Sequence, residues 1–171
     1  MLTGLVMLYV GVVLFQNGIW LHGMVSNKEV VFPNLVSGVV LSAVSLILVI
    51  GSGVTLEAVK ASALILLFGV TFFWVAFNQR SESDGRALGW YCLTVAAVLI
   101  PTAVESYRAA SSPWGYWFVG SCLLWALLYV LFFLLLSRGA KIGRLTGSLA
   151  VVNSIVTGFL PGYLLLNHHL S

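Results

Sequence analysis

Long stretches without charged residues divide the chain into six segments. No Asp, Glu, Lys or Arg interrupts residues 1–27, 30–56, 61–79, 87–104, 109–137 or 145–171. Because an α-helix rises about 1.5 Å per residue, even the shortest of these runs would span about 27 Å. That length is close to the hydrocarbon core of a bilayer, which is about 30 Å thick. The pattern therefore predicts six transmembrane helices, at about residues 2–21, 34–54, 61–78, 88–104, 113–137 and 145–166.

The composition supports the same interpretation. The 171 residues are 60% hydrophobic and 8% charged, and the mean hydropathy is +1.06. Soluble domains carry about 25% charged residues, so we expect no soluble domain and one transmembrane domain over residues 1–171. The first apolar run has no basic start and is about twice as long as the core of a signal peptide. We interpret it as a first helix that is retained.

The basic residues between the predicted helices indicate the orientation. Most of them lie in the first, third and fifth loops: Lys28, Arg80, Arg86, Arg138, Lys141 and Arg144. The second and fourth loops hold only Lys60 and Arg108. Because cytoplasmic loops are enriched in Lys and Arg, both termini are predicted to lie outside. The pI of about 9.1 then reflects topology, since nucleic-acid binding would need a clustered basic face.

The fifth predicted helix carries the most distinctive side chains. Trp114, Trp117, Ser121 and Trp125 are spaced by three, four and four residues, which places them on one helical face. Trp125 lies near the middle of its run, deeper than the interfacial belt in which membrane Trp residues usually lie. We therefore hypothesise a narrow pore for flat, uncharged, polar molecules.

Glycines in the first helix indicate close packing, and the roles of two residues in other helices, Trp74 and Asn153, each have two interpretations. Gly4, Gly11 and Gly18 recur every seven residues, so another helix can approach that face closely. Trp74 is either an interfacial anchor or part of a pore wall. Asn153 either faces a wet cavity or bonds another helix, because an unbonded amide inside the membrane is costly.

The chain lacks the motifs of catalysis and of ion pumping. It contains no HExxH, CxxC, GxSxG or GxxxxGK, and the predicted spans hold no Asp, Glu, Lys or Arg. We therefore expect no enzyme, no metal and no cofactor. Cys92 and Cys122 are interpreted as buried free thiols.

The predicted spans two, four and six start about sixty residues apart, which suggests three similar helix hairpins. His168 and His169 are interpreted as part of a solvated terminus.

Four segments carry a resemblance to a known family: MLTGLVMLYVGVVLFQNGIWL, GVTFFWVAFN, WALLYVLFFLLLSRG and SIVTGFLPGYLLL. In this order and spacing they resemble the AmiS/UreI family of urea and short-chain amide channels. The resemblance implies an all-α integral membrane protein with six helices, arranged as three hairpins around a pore. It also implies a homohexamer in the inner membrane and passive flow of urea or small amides to a cytoplasmic urease or amidase.

Carried over by position, the resemblance implies a pore wall that includes Leu5, Val10, Leu14, Val70, Trp74, Trp114, Leu124 and Trp125. Thr71, Ser121 and Asn153 are expected to offer hydrogen bonds to the solute. The urea-channel branch of the family has a Glu where this chain has Asn153, a Trp where it has Ser121, and a longer second loop that contains His. This chain therefore reads closer to the amide branch, and its choice between urea and amides stays open.

A planar, neutral, dipolar solute fits such a pore, whereas an ion would lose tens of kcal/mol of hydration in a dry medium. Since no ionisable residue is placed to drive uphill transport, we expect facilitated diffusion. The alternative is a membrane subunit that does not transport and only packs against a partner. Substitution of Trp125 by Ala distinguishes the two, because it would alter permeability in the first case and only assembly in the second.

Overall fold

The structure is a computed structural model, and it describes residues 1–167, so His168 and His169 lie outside the described residues. Within this range the chain is all helical, and six helices are long and apolar enough to cross a membrane. They are α1 (Leu2–Leu21), α2 (Val31–Gly51), α3 (Leu56–Ser81), α4 (Arg86–Ala109), α5 (Pro113–Leu136) and α6 (Gly143–Leu166). The prediction of six membrane helices is confirmed.

Several helices extend beyond the charge-free runs that predicted them. α3 begins at Leu56 rather than at residue 61, because Thr55 caps it by accepting a hydrogen bond from the Ala58 N–H at 3.3 Å. α4 continues to Ala109 rather than ending at 104, with Arg108 in its last turn. A charge-free run marks the part of a helix that lies in hydrocarbon, whereas the helix itself continues into the polar interface.

The six helices pack as three pairs. α2 lies along α3, α4 lies along α5, and α1 lies along α6, so the third pair joins the two ends of the chain. Short connections of residues 52–55 and 110–112 join the members of the first two pairs. The predicted all-helical architecture is confirmed: two of the three pairs are hairpins, and the third brings together the first and last helices. The orientation of the termini remains a prediction.

A glycine seam holds α1 against α6, formed by Gly4, Gly11 and Gly18 of α1 and by Gly162, Gly158 and Gly147 of α6. A Cβ added at Gly11 would lie 2.7 Å from the backbone nitrogen of Phe159. One added at Gly18 would lie 2.9 Å from the carbonyl oxygen of Gly147. Real Cβ atoms essentially never approach a backbone atom under 3.0 Å, so only glycine fits these positions. The two backbones are in direct contact along this seam.

Buried polar pairs join α2 to both of its neighbours. Asn17 of α1 and Asn34 of α2 exchange two amide hydrogen bonds, of 3.1 and 2.7 Å. Ser45 of α2 and Ser62 of α3 each donate to the other's backbone carbonyl, at 3.0 and 2.9 Å. Since bilayer lipid is as apolar as the side chains it replaces, such bonds, worth about 0.6–2 kcal/mol each, help to fix which helix faces which.

α6 contains a π-helical segment, Ser154–Phe159, in the middle of its length. Residues before and after the segment are α-helical, so α6 is one continuous helix with a local widening. π segments are uncommon and occur frequently at functional sites. This one places Gly158 against α1 and Thr157 towards α5.

Candidate permeation pathway

Three cavities lie end to end inside the helix bundle. The terminal-side cavity, near the start of α1, has a volume of about 180 Å³, and the loop-side cavity, near the α3–α4 loop, has a volume of about 190 Å³. Between them lies a central cavity of about 30 Å³. The central cavity shares Val10, Phe68 and Trp125 with the terminal-side cavity. It shares Val75, Leu88 and Phe132 with the loop-side cavity. The three neighbouring cavities are together called the tract, and the smallest lies in the middle.

The wall of the central cavity is almost entirely apolar and carries no charge. Its lining consists of Val10, Leu14, Asn17, Phe68, Thr71, Phe72, Val75, Leu88, Cys92, Trp125, Leu128, Tyr129 and Phe132. Thr71, Asn17 and Tyr129 supply the strongly polar atoms. An ion entering this space would find no opposite charge on the described wall to replace its hydration.

An aromatic wall, formed by Phe68, Trp125 and Tyr129, borders the central cavity. The Phe68 ring meets the Trp125 indole edge-on, with centroids 5.1 Å apart, and stacks on Tyr129 at 5.5 Å and 24°. Phe118 meets the same indole at 6.2 Å from the terminal side. α3 and α5 therefore meet through rings rather than through backbone, which leaves space between the helices.

The indole of Trp125 is held in one orientation. Its Nε1–H donates to the Oγ1 of Thr157 at 2.8 Å, and the Thr157 hydroxyl donates to the carbonyl of Asn153 at 2.7 Å. Thr157 belongs to the π-helical segment of α6. The only hydrogen-bond donor of the indole is thus used inside the protein, and the ring presents apolar surface to the cavity.

The loop-side cavity has a more polar wall. Asn78, Gln79, Ser83 and Asp84 line it beside Trp20. A solute that leaves the narrow central cavity on this side reaches groups that can bond to it and to water.

The sequence profile of the AmiS/UreI family transporter matches residues 2–169. The chain belongs to the AmiS/UreI family. A protein of Mycolicibacterium smegmatis named as a transporter of amidate substrates is 32% identical, over 96% of this chain and 76% of its own length. The acid-activated urea channel of Helicobacter pylori is 27% identical, over 98% of this chain and 99% of its own.

Two solved structures of the Helicobacter pylori urea channel have the same fold. Its crystal structure superposes with a TM-score of 0.87 and 30% sequence identity, over 100% of both chains. A cryoEM structure in the closed state gives a TM-score of 0.88 and 28% identity, over 98% of this chain and 99% of that one. Family membership and six membrane-capable helices identify the chain as a multi-pass membrane protein.

Of the pore residues expected for this AmiS/UreI chain, four lie on the wall of the central cavity: Val10, Leu14, Thr71 and Trp125. Seven are absent from the described lining of the three cavities: Leu5, Val70, Trp74, Trp114, Ser121, Leu124 and Asn153. Val70 is 40% exposed on the outer surface of α3. Trp74 packs against Tyr91 at 5.5 Å, and Trp114 stacks on Trp117 at 4.4 Å. Their placement in a pore wall stays a prediction.

Ser121 and Asn153 bond within their own helices. The Ser121 hydroxyl donates to the carbonyl of Trp117 at 3.0 Å, and the Nδ2 of Asn153 donates to the carbonyl of Leu149 at 3.0 Å. Asn153 is fully buried, and its Oδ1 has no partner among the described residues. The structure thus shows neither a wet cavity nor a bond to another helix at Asn153.

Nine residues of the described central lining were not predicted from the sequence, and two of them, Phe68 and Tyr129, complete the aromatic wall beside Trp125. The signal for Phe68 was present, because Phe68, Thr71, Phe72 and Val75 follow the i, i+3, i+4, i+7 spacing of one helical face. Tyr129 follows Trp125 by four residues and therefore shares its face. In this family member, the helical periodicity around Thr71 and Trp125 would have found both rings.

Proposed function

We propose that this chain is a passive channel for small, neutral, planar amides, namely urea and short-chain aliphatic amides. The observation that carries the proposal is the tract of three cavities, whose narrow centre is uncharged and bordered by aromatic rings. The names of its relatives support the same solute class, since they are a urea channel and a transporter of amidate substrates.

The selectivity follows from the shape and neutrality of the central cavity. A planar amide lies flat against the Phe68 and Trp125 rings and keeps dispersion contact while it loses water. Thr71 and Tyr129 are the polar groups with which it exchanges hydrogen bonds, because the Asn17 amide is paired with Asn34. An ion has no such compensation, because burying its charge unpaired costs tens of kcal/mol in a dry medium. Bulkier polar solutes such as glycerol are excluded from the central cavity by their shape.

Transport down the gradient is the expected mode. The central wall as described holds no Asp, Glu, Lys, Arg or His that could couple flux to protons or sodium. Flux is therefore proposed to rise nearly linearly with the solute gradient. The setting proposed for this activity is a homohexamer in the inner membrane, in which each protomer has its own pore and supplies a cytoplasmic urease or amidase.

The experiment that tests the function compares urea, acetamide and glycerol in proteoliposomes by stopped-flow light scattering. Wild-type vesicles are expected to reswell faster than protein-free vesicles in urea and acetamide, and no faster in glycerol. Abolition of flux by a proton ionophore would contradict passive transport. Flux at the protein-free level would instead support the alternative, a subunit that does not transport and only packs against a partner.

Substitution of Trp125 by Ala tests the assigned wall. Loss of the indole widens the central cavity, so the ratio of urea to glycerol permeability should fall roughly tenfold, the effect of about 1.4 kcal/mol. Trp90→Ala is the matched control, because Trp90 is 54% exposed on α4. Equal ratios in both variants would contradict the placement of Trp125, provided that both elute as the same assembly.

A further inference from the structure

Three hydroxyl groups meet beside the central cavity at one backbone carbonyl. The carbonyl of Leu67 accepts a hydrogen bond from Thr71 Oγ1 at 2.9 Å and another from the Tyr91 hydroxyl at 3.0 Å. Thr71 Oγ1 also lies 2.9 Å from the hydroxyl oxygen of Tyr129. Of these three side chains, Thr71 and Tyr129 line the central cavity.

The hydrogens in this cluster can be assigned from the contacts alone. A carbonyl oxygen only accepts, so Thr71 must direct its single hydroxyl hydrogen at Leu67. Thr71 then has no hydrogen left for Tyr129, and the bond between them requires Tyr129 to donate to Thr71. The remaining hydrogen-bonding capacity of the Tyr129 oxygen is that of an acceptor.

The other polar groups around the cavity are already engaged. The indole hydrogen of Trp125 is bonded to Thr157, and both polar atoms of the Asn17 amide are bonded to Asn34. Tyr129 is 5% exposed, so little water reaches its oxygen from outside the tract. At the narrowest point the wall therefore presents a fixed acceptor on Tyr129.

We propose that Tyr129 is a specificity-determining residue, whose hydroxyl oxygen accepts an N–H of the passing solute while Thr71 holds its hydrogen away from the cavity. This inference rests on the proposed function. Urea presents an amino group on either side of its carbonyl, whereas acetamide presents one on a single side. A fixed acceptor at the constriction thus favours urea over acetamide, two solutes of almost the same shape and size.

The test measures the ratio of urea to acetamide permeability in proteoliposomes. Tyr129→Phe removes the acceptor, and Thr71→Val keeps the volume of Thr71 but frees the Tyr129 hydrogen to turn into the cavity as a donor. Both variants should lower the ratio by about two- to fivefold, since a hydrogen bond contributes modestly in net terms. Thr71→Ser keeps the hydroxyl and should retain the wild-type ratio.

Tyr91→Phe is the matched control, because it removes a hydroxyl from the same carbonyl without altering a residue that lines the central cavity. Its ratio should equal that of wild type. A purely structural role for Tyr129 would lower the flux of both solutes equally, and an unchanged ratio in Tyr129→Phe or Thr71→Val would overturn the assignment. Should Tyr129→Phe assemble poorly, Thr71→Val decides, because the Tyr129 ring stays in place. Wild-type flux at the protein-free level would overturn the proposed function as well.

Discussion

The glycine seam and the aromatic wall are built in opposite ways. Along the seam, α1 and α6 have no side chains between them at Gly11 and Gly158, and backbone touches backbone. At the wall, α3 and α5 are held apart by the rings of Phe68, Trp125 and Tyr129. Both arrangements bury apolar surface, but only the second leaves a cavity. The comparison shows that a cavity forms in a membrane bundle where large side chains keep two helices apart.

The π-helical segment of α6 belongs to both regions. Gly158 packs against Gly11 in the seam, and its neighbour Thr157 holds the Trp125 indole of the wall. The rigid seam thereby fixes the position of a ring that borders the cavity.

The largest expected effect is disruption of the seam by Gly11→Ala. The added methyl group would lie 2.7 Å from the Phe159 nitrogen and 3.1 Å from the carbonyl oxygen of Ser154. Backbone cannot yield as a flexible side chain does, so destabilisation of about 1–3 kcal/mol or more is expected. The measurement is the thermal midpoint of the purified protein in detergent, together with the yield of assembled protein.

Gly120→Ala is the control for that experiment. A Cβ at Gly120 of α5 meets no atom within 4 Å, so its stability should be unchanged or up to about 1 kcal/mol higher. If Gly11→Ala were as stable as Gly120→Ala, the claim that the glycine seam has no room for a side chain would be contradicted.

A smaller effect is expected from Thr157→Val, which cuts the link between the seam and the wall. The indole N–H of Trp125 would lose its 2.8 Å partner inside the protein, at a cost of about 1–3 kcal/mol. The thermal midpoint should fall, and the ratio of urea to glycerol flux should fall with it because the ring is released. Thr102→Val, which removes a hydroxyl bonded only to its own helix, should change neither. A lower midpoint with an unchanged flux ratio would show that Thr157 supports the fold but does not position the ring.

The smallest expected effect is that of pH on urea flux, which tests whether the central wall carries a titratable group. The central wall as described contains no Asp, Glu or His, and the second loop, residues 52–55, contains no His. Urea flux should therefore change by less than about twofold between about pH 5 and pH 8, the range in which His titrates. Stopped-flow measurements with symmetric buffers check this. A steep rise in urea flux on acidification would indicate that a titratable group outside the central wall controls permeation.

The sequence predicts the number of helices because the bilayer imposes a length that hydropathy can show. It does not predict the ends of α3 and α4, since Glu57, Lys60 and Arg108 are charged yet helical. The seven-residue glycine repeat predicts a close approach but not its partner. The partner depends on tertiary packing, and in α6 the matching glycines are unevenly spaced around a π segment.

The candidate site was predicted in part. Trp125 was predicted because it lies at mid-membrane depth, whereas membrane Trp residues are usually found at the interfaces. On α3 the prediction named Val70, Thr71 and Trp74, and of these Thr71 lines the central cavity, together with Phe68, which was not predicted. α3 is apolar on all sides, so hydropathy alone does not show which face points inward, and only the helical spacing around Thr71 marks that face. Asn153 is outside the described lining of the three cavities: its Nδ2 donates to the carbonyl four residues earlier, while its Oδ1 has no partner among the described residues. Its role in a pore therefore stays a prediction.

The contact of Gly162 with Gly4 makes the number of residues in the α-helical parts of α6 critical. In an α-helix each residue turns the chain by about 100°, so one residue inserted there would rotate everything beyond it by about that angle. Gly162 would then turn away from Gly4, and a larger side chain would enter the contact. Substitutions in α6 can be absorbed one side chain at a time, but an inserted residue changes the phase of the whole helical end.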